Sequence, residues 1–569
     1  MKKLLLLITF TFILFFFLLT TPCNAKQMNI LVYPFQNTGD TQYSWISAGM
    51  TDTVISDLNR IKGLSVVAEK DRKDALKEIE LTQSGLISEE TMVKVGRLIG
   101  ADIVFTGSYL VSGNRIRVNA RLIKVETGKT ESSTKIDGAL DGIFDLQDKV
   151  VFTLMGETEK ITLADIKPVK LTEQDKKNIE EKPRPSITAY EWYAKGLEAQ
   201  DNNPKEALNN FKKAIDIDPN YTDALKSAGF IAGVTLNLFS EALGYLEKAE
   251  RIFDGRNETK SSSYAMLMNN TGTVYASKGQ LDRALEYYLK GKSIRDRLRL
   301  QNTAGYAMLM NNIGLVYRGK GQLDRALEYF FNSQTLWDRL GLQNTANYAM
   351  LMLNIGVVYQ SKGQFDRALE YYLNSQSIRD RLGLQNTTGY AVLTMNIGLV
   401  YWDKGQVERA LEYYLNSQSI NDRLGLQNTA NYAMLVNNIG LVYWKKGQLD
   451  RALEYYLNSQ SIRDRLRLQN TAGYAMLVMN IGLVYQSKGQ LDRALEYYLN
   501  SQSINDRLGL QNTAGYAIII YNLALLYEKK GQSDMAGRYY RMAYDKFVRA
   551  DYSGEWKDKA LNNARRLGY

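Results

Sequence analysis

From residue 264 onward the chain repeats itself every 42 residues, and that period limits its fold more than any other feature. Tyr264, Tyr306, Tyr348, Tyr390, Tyr432, Tyr474 and Tyr516 mark seven copies. Each reads close to Asn-Thr-Ala-Gly-Tyr-Ala-Met-Leu-x-x-Asn-Ile-Gly-Leu-Val-Tyr-x-x-Lys-Gly-Gln-Leu-Asp-Arg-Ala-Leu-Glu-Tyr-Tyr-Leu-Asn-Ser-Gln-Ser-Ile. A unit of this length cannot bury its apolar face alone, so neighbouring copies must stack. The second copy shows the local logic. A first helix is predicted over 304–320, and Gly321 supplies a left-handed stop. A second helix starts at Gln322-Leu323-Asp324, with Asp324 complementing the positive helix end. Gly314 and Ala326 are small where the two helices approach, and Leu315, Tyr317, Leu327 and Phe330 fill the space around them. Asn344-Thr345 is placed to cap the next first helix. The 38 tyrosines and only 7 prolines fit repeated helical hairpins rather than a loop-rich β fold.

Two shorter units, 188–256, precede these copies. In the first, Ala207, Phe211, Ala214 and Pro219 fall at the offsets of a tetratricopeptide repeat. The longer copies, 257–546, resemble the kinesin-light-chain type of that repeat. The resemblance implies an all-α right-handed superhelix whose concave groove receives a protein or peptide. The last copy departs at Ser533, Met535, Gly537 and Arg538, and the polar tail 547–569 suits a terminal cap.

The N-terminus, MKKLLLLITFTFILFFFLLTTPCNAK, has two lysines, an apolar run and a small-residue site, the pattern of a signal peptide over 1–25. Lipid attachment at Cys23 is the competing outcome. No other stretch approaches the roughly 20 apolar residues of a membrane-spanning helix. Residues 26–160 read as an α/β domain. Strands are predicted at 28–35, 64–68, 101–111 and 115–127, followed by a polar strand after Lys129. Helices are predicted at 43–60, 71–81, 88–100 and 139–160. Ser112-Gly113-Asn114 is a hairpin signal. The run VVAEKDRKDALKEIEL, then IGADIVFTGSYL, then RIRVNARLIKVETGKTESS resembles the periplasmic core of the CsgG-like, FlgO-like and TolB-N-like domains. Pore-forming relatives carry long insertions that become membrane hairpins. This chain has a tight turn at 112–114 and only a short polar stretch after Lys129, so the resemblance implies a relative without a pore. Residues 161–187, charged and proline-containing, read as an exposed linker or a loosely docked helix.

Chemistry is constrained by what is missing. The chain has no histidine, and Cys23 is its only cysteine. That excludes Ser-His and Cys-His nucleophiles and zinc held by imidazole or thiolate. Glu69, Asp71 and Asp102 are the suggestive carboxylates, and their places near helix starts fit capping better than catalysis. No cofactor or metal motif is present, and a non-enzyme is expected. The formal charge of +10 is mild for 569 residues, and no nucleic-acid partner is expected.

One polar residue recurs inside the apolar run of every first helix: Asn270, Asn312, Asn354, Asn396, Asn438, Asn480 and Asn522. Asparagine disfavours a helix interior by about 0.5–0.7 kcal/mol relative to alanine, so its retention invites explanation. Similar arrays use such ladders to hold the backbone of an extended peptide, since one amide donates and accepts at once. The alternative is a bond to the neighbouring repeat that fixes register. Variation between copies concentrates just before this asparagine and just after the first-helix tyrosine. The second site includes Arg318, Trp402 and Trp444, read here as solvent-side candidates for partner contact. The expected function is a protein-interaction scaffold of the bacterial cell envelope, periplasmic or associated with the outer membrane. Two alternatives stand beside it: a small-molecule or glycan sensor with the repeats as regulatory arm, and a ring-forming envelope lipoprotein that self-associates through its first domain.

Overall fold

The computed structural model describes residues 27–67, 88–163, 166 and 168–569. The signal segment with Cys23, the helix expected over 71–81, and both Glu69 and Asp71 lie outside these residues. The architecture is an α/β domain followed by a tetratricopeptide-type helical solenoid.

The sheet contains β1 (Met28–Val32), β2 (Gln36–Asn37), β3 (Leu64–Val66), β4 (Ile103–Ser112), β5 (Arg115–Lys124) and β6 (Lys129–Ala139). Its order is β3-β1-β4-β5-β6, with β2 beside β4. The first strands run parallel, Ile30 facing both Val66 and Ile103. β1 is buried along its whole length, as a strand between two covered faces should be, and is apolar apart from Asn29. β4 and β5 form an antiparallel hairpin whose end pair is Ser112–Arg115. Gly113 takes the positive φ, 57°, that this tight turn demands.

Helix α1 (Trp45–Leu58) follows β2, α2 (Glu89–Ile99) precedes β4, and α3 (Ile143–Gly156) follows β6. Ser88 caps α2 by accepting from the Thr91 amide, and Gly100 closes it at φ 75°. The core of this domain does not end at its last helix. Tyr190, on the first repeat helix Ile187–Ala199, is fully buried among Trp45 and Phe144, with ring centroids 5.9 and 4.9 Å away. Its hydroxyl meets Gln147 and Thr53 at 2.9 and 3.1 Å. Gly49 makes room for it, because a Cβ there would lie 2.8 Å from the ring.

Of the two readings of the charged segment before that helix, exposed linker or loosely docked helix, the structure shows a helix, and it is held by more than loose docking. Helix α4 (Glu173–Glu180) opens with a capping box, Thr172 and Asp175, and buries Ile179 completely. After it, Lys182 reaches Asp57 of α1 at 2.6 Å and Asp148 of α3 at 3.2 Å. Arg184 holds Asp148 at 2.6 Å and also pairs with Asp145. The linker's charge is therefore matched by carboxylates inside the domain, a pairing that no local sequence pattern displays.

The chain divides into two compact units, one comprising Met1–Val358 with Ser377–Gly383, the other Tyr359–Gln376 with Leu384–Tyr569. In both, the 42-residue copies share one frame. Each has a first helix, such as Ala304–Gly319 or Ala430–Lys445, and a second, such as Leu323–Leu340 or Leu449–Arg465. Thr303, Thr387, Thr429, Thr471 and Thr513 cap first helices by accepting from a tyrosine amide. Gly321 and its counterparts end them at φ 69–80°.

The paired tyrosines of the second helix divide their work. The second of each pair lies against the first-helix glycine: a Cβ on Gly398, Gly440 or Gly482 would come within 2.7–2.8 Å of Tyr414, Tyr456 or Tyr498. The first stacks on the tyrosine that ends the first helix, as in Tyr443–Tyr455 at 5.4 Å and 22°. The Leu-Asp-Arg arginine covers that ring, Arg451 lying 5.5 Å from the Tyr443 centroid. Six copies carry the same three-layer stack. Buried Ser333, Ser417, Ser459 and Ser501 donate to first-helix alanine carbonyls at 2.6–2.8 Å. Neighbouring copies are joined by the marker tyrosine, Tyr306 donating to Asp296 at 2.6 Å and Tyr432 to Asp422 at 2.8 Å. At the far end, Gly537 leaves space for the Tyr569 ring, and helix Glu555–Arg566 covers the last copy with Ala560 and Ala564 buried.

Candidate interaction surface of the repeats

Helical spacing sorts each first helix into two faces. In Ala430–Lys445, Tyr432, Ala433, Leu435, Val436, Ile439, Gly440, Val442 and Tyr443 are buried. Met434, Asn437, Asn438, Leu441 and Trp444 remain on the opposite side, half-buried or exposed. The methionine of this face is an open apolar residue: Met266, Met308, Met434 and Met476 are 39–55% exposed. A flexible thioether beside an amide is a surface that adapts to different apolar side chains while holding a polar backbone.

The seven asparagines do not share one environment. Asn354, Asn480 and Asn522 are buried, and Asn270, Asn312, Asn396 and Asn438 are half-buried. Asn312 donates to Asn269 at 3.4 Å, Asn354 to Asn311 at 3.0 Å and Asn480 to Asn437 at 3.3 Å. Each acceptor is the residue just before the preceding copy's asparagine. The bond therefore exists only where that variable position is itself asparagine. In the fifth copy Asn437 donates to Asn438 at 3.4 Å. Asn396 has no such amide bond among the described residues. Register-fixing thus occupies part of the ladder and leaves another part open.

The tryptophans differ from the solvent-side placement expected of them, for both Trp402 and Trp444 are half-buried, as is Arg318. Other copies show why. At the same position Gln360, Gln486 and Glu528 accept from the hydroxyls of Tyr372, Tyr498 and Tyr540 at 2.8, 2.6 and 2.7 Å. The site looks inward as much as outward. Trp444 directs its indole N–H toward Ser487 Oγ at 3.4 Å. Asp403, next to Trp402, has its carboxyl pushed up by burial.

A second variable position, on the second helix, has no counterpart in the consensus reading above. It holds Arg295, Trp337, Arg379, Asn421, Arg463 and Asn505 in successive copies. Arg463 lies against Gly473, where a Cβ would be 2.9 Å from its guanidinium. The shorter Asn421 turns back to the Ser417 carbonyl at 2.8 Å. A recess opens beside it, lined by Thr388, Val392, Met395, Leu426 and Asn431. The signal available in sequence was this alternation of long and short side chains at a fixed place in the period.

Asp102, a suggested carboxylate, accepts from the Asn29 amide at 2.8 Å and so ties β1 to the start of β4. The Asn29 side chain continues outward, donating to the carbonyl of Leu340 at 2.7 Å, while Asn344 donates to the Leu98 carbonyl. Gly100 and Gly341 meet between them, since a Cβ on Gly100 would lie 2.5 Å from the Gly341 oxygen. The α/β domain thus touches the corner of the second long copy. This copy alone carries Trp337, 2% exposed, at the variable second-helix position. Removing both amides (Asn29→Ala with Asn344→Ala) is expected to weaken the contact by about 1–3 kcal/mol, one neutral hydrogen bond contributing about 0.5–1.5 kcal/mol. Hydrogen exchange should then speed up at 98–102 and 340–345 together. Unchanged protection at both segments would show the contact to be inconsequential.

Comparison with known proteins follows the same division. Residues 305–381, 390–465 and 474–547 match the tetratricopeptide repeat family, and residues 15–112 match the family described as curli production assembly/transport component CsgG. The class is therefore a CsgG-type α/β domain joined to tetratricopeptide repeats. A Rhizobium meliloti (strain 1021) protein named "Putative adenylate cyclase 3" is 28% identical over 235 residues, 39% of this chain. The chain spans only 37% of that relative's length. Among solved structures, the apo form of the quorum sensor NprR from B. thuringiensis aligns with 63% of this chain and 97% of its own, at 18% identity and a TM-score of 0.45. A Podospora anserina protein described as a "putative kinesin light chain" with nearly identical TPR-like repeats covers 36% of this chain and 97% of its own, at 15% identity and a TM-score of 0.32. Among the described residues, no helix is long and apolar enough to cross a membrane.

Proposed function

We propose that this chain is a non-enzymatic interaction scaffold of the bacterial cell envelope that holds an extended segment of a protein partner along the first-helix face of its repeats. The observation that carries this reading is the recurrence on that face, in four copies, of an asparagine amide four residues after an exposed methionine, Met266, Met308, Met434 or Met476. Amides of this kind hold a peptide backbone whatever its sequence, and the methionines accommodate the alternate side chains. Asn396, with its amide uncommitted, and Asn438 are the first contacts, and Arg318, Trp402 and Trp444 supply local preference. Asn270, Asn312, Asn354, Asn480 and Asn522 are the further amides of this face, and of these Asn312, Asn354 and Asn480 also bond the preceding copy. The signal-like N-terminus, the family to which 15–112 belongs and the lack of histidine support export and a non-catalytic role.

A photo-crosslinking residue at position 434 of the full chain, in its native cell, tests this. A discrete partner band is expected from position 434 and not from position 457, since Leu457 is 40% exposed on the second helix. Asn396→Ala with Asn438→Ala should reduce the band at least about fivefold without lowering the melting temperature, each amide contact contributing about 0.5–1.5 kcal/mol. Equal bands from 434 and 457, or a band indifferent to the double substitution, would refute the reading.

A further inference from the structure

Strand β6 is the outermost strand of the sheet, and among the described residues it pairs with β5 alone. A bulge at Leu122/Ile123 separates its first residues from a regular run, Ser132–Ala139, in unbroken register with β5. That run contains no proline. Its outer row of N–H and C=O groups is an open template for another strand. The other edge of the sheet, β3, is three residues long and offers little.

The side chains of this edge are self-complementary. Lys135 makes no ion pair among the described residues, and Asp137 is held on one side only, by Arg117 at 2.7 Å. An antiparallel copy of the strand, centred on Ile136, sets Lys135 opposite the partner's Asp137 twice over. Each Asp137 then lies between Arg117 and an incoming ammonium. The same register places Ile136 against its own copy, Thr134 against Gly138 and Ser133 against Ala139. Neighbouring registers fail on charge: centring on Lys135 or Asp137 opposes like residues, and centring on Thr134 sets Glu131 against Asp137. Opposite charges and β-branched pairs directly across an antiparallel ladder are favourable, and like charges are not.

We propose that two copies of this chain associate through antiparallel pairing of their β6 strands about a two-fold axis at Ile136, making one continuous sheet. Such an isologous contact closes at the dimer. A ring built edge to edge would need β6 to pair with β3, and β3 is too short to match it. A charged edge also serves elsewhere as a guard against strand pairing. The two readings predict opposite behaviour in solution.

The test uses the full chain with Cys23→Ser, so that introduced thiols are alone. Sedimentation between about 1 and 100 μM should show a concentration-dependent dimer. Lys135→Glu, folded by circular dichroism, should raise the dissociation constant about tenfold or more, because two favourable pairs become two repulsive ones. Under mild oxidation Ile136→Cys should give a covalent dimer, facing Cα atoms in such pairs lying about 4.5–5.5 Å apart. Thr134→Cys, facing Gly138 instead of itself, should crosslink several-fold less. A monomer at every concentration, a dimer indifferent to Lys135→Glu, or equal crosslinking at 134 and 136 would overturn the proposal.

Discussion

Lys182→Met is expected to destabilise the α/β domain by about 3–5 kcal/mol at pH 8, and by much less at pH 5. Removing one partner from a buried ion pair leaves an uncompensated charge, which accounts for that range. Two carboxylates would be stranded here, Asp57 with its side chain fully buried and Asp148 nearly so, although Arg184 still holds Asp148. The pH dependence follows from Asp57. Burial, opposed by Lys182 and reinforced by Asp148, pushes its carboxyl up from 3.8 to about 6. A carboxyl raised on folding binds its proton more tightly in the native state, so stability is highest below the unfolded value and declines as pH rises toward the folded one. Taking away the lysine removes the main influence holding this pKa down, and the decline steepens and extends to higher pH. With no histidine in the chain, few other side chains titrate in this window. Thermal melts from pH 5 to 8 measure the effect, and Asp57→Asn should flatten the profile between pH 5 and 7. A Lys182→Met protein with the wild-type melting temperature at pH 8 would show the cluster to be solvated.

The repeats were legible because their determinants are local. Gly321 stops a helix through its own φ, Thr345 caps one through the amide three residues on, and the period announces the neighbour that covers each apolar face. Helix boundaries read from the second copy, 304–320 and 322 onward, agree with Ala304–Gly319 and Leu323–Leu340 within a residue. The strands of the first domain were legible for the same reason, as short β-branched runs between turn signals. What the sequence hid is contact between segments distant along the chain. Lys182 looks solvated until Asp57, 125 residues earlier, is placed beside it. Tyr190 carries no mark that assigns it to the α/β core rather than to the repeat it opens. The asparagine ladder was half legible. Its period is plain, but whether an amide is occupied depends on a variable residue 43 positions earlier, as in Asn354 and Asn311. The tryptophans were read as solvent-side from the variability of their position, whereas Gln360 and Gln486 at that position accept from buried tyrosine hydroxyls.

The adjacent tyrosines Tyr455 and Tyr456 are expected to respond very differently to truncation, and the contrast tests the frame itself. Tyr456→Ala should destabilise the unit Tyr359–Gln376 with Leu384–Tyr569 by about 3–5 kcal/mol, the range for emptying a large aromatic site in a core. Tyr456 is 1% exposed and its ring fills the hollow over Gly440, a residue with no side chain to collapse inward. Tyr455→Ala removes a half-buried ring stacked on Tyr443 and should cost about 0.5–1.5 kcal/mol beyond its modest burial. Removing hydroxyls alone separates the copies further. Phe330 already occupies the equivalent core place in the second long copy, so Tyr456→Phe should change stability by less than about 1 kcal/mol. Tyr498→Phe instead deprives the buried Gln486 of its 2.6 Å donor and should cost about 1–3 kcal/mol. Chemical denaturation of the four variants, followed by tyrosine fluorescence and circular dichroism, gives the ranking. A Tyr455→Ala loss as large as that of Tyr456→Ala would mean that the surface stacks, rather than the glycine–tyrosine contacts, hold each hairpin together. The variable sites would then have to be reassigned, because the inner hydroxyl they serve in some copies would no longer set which side chains the first helix can present to a partner.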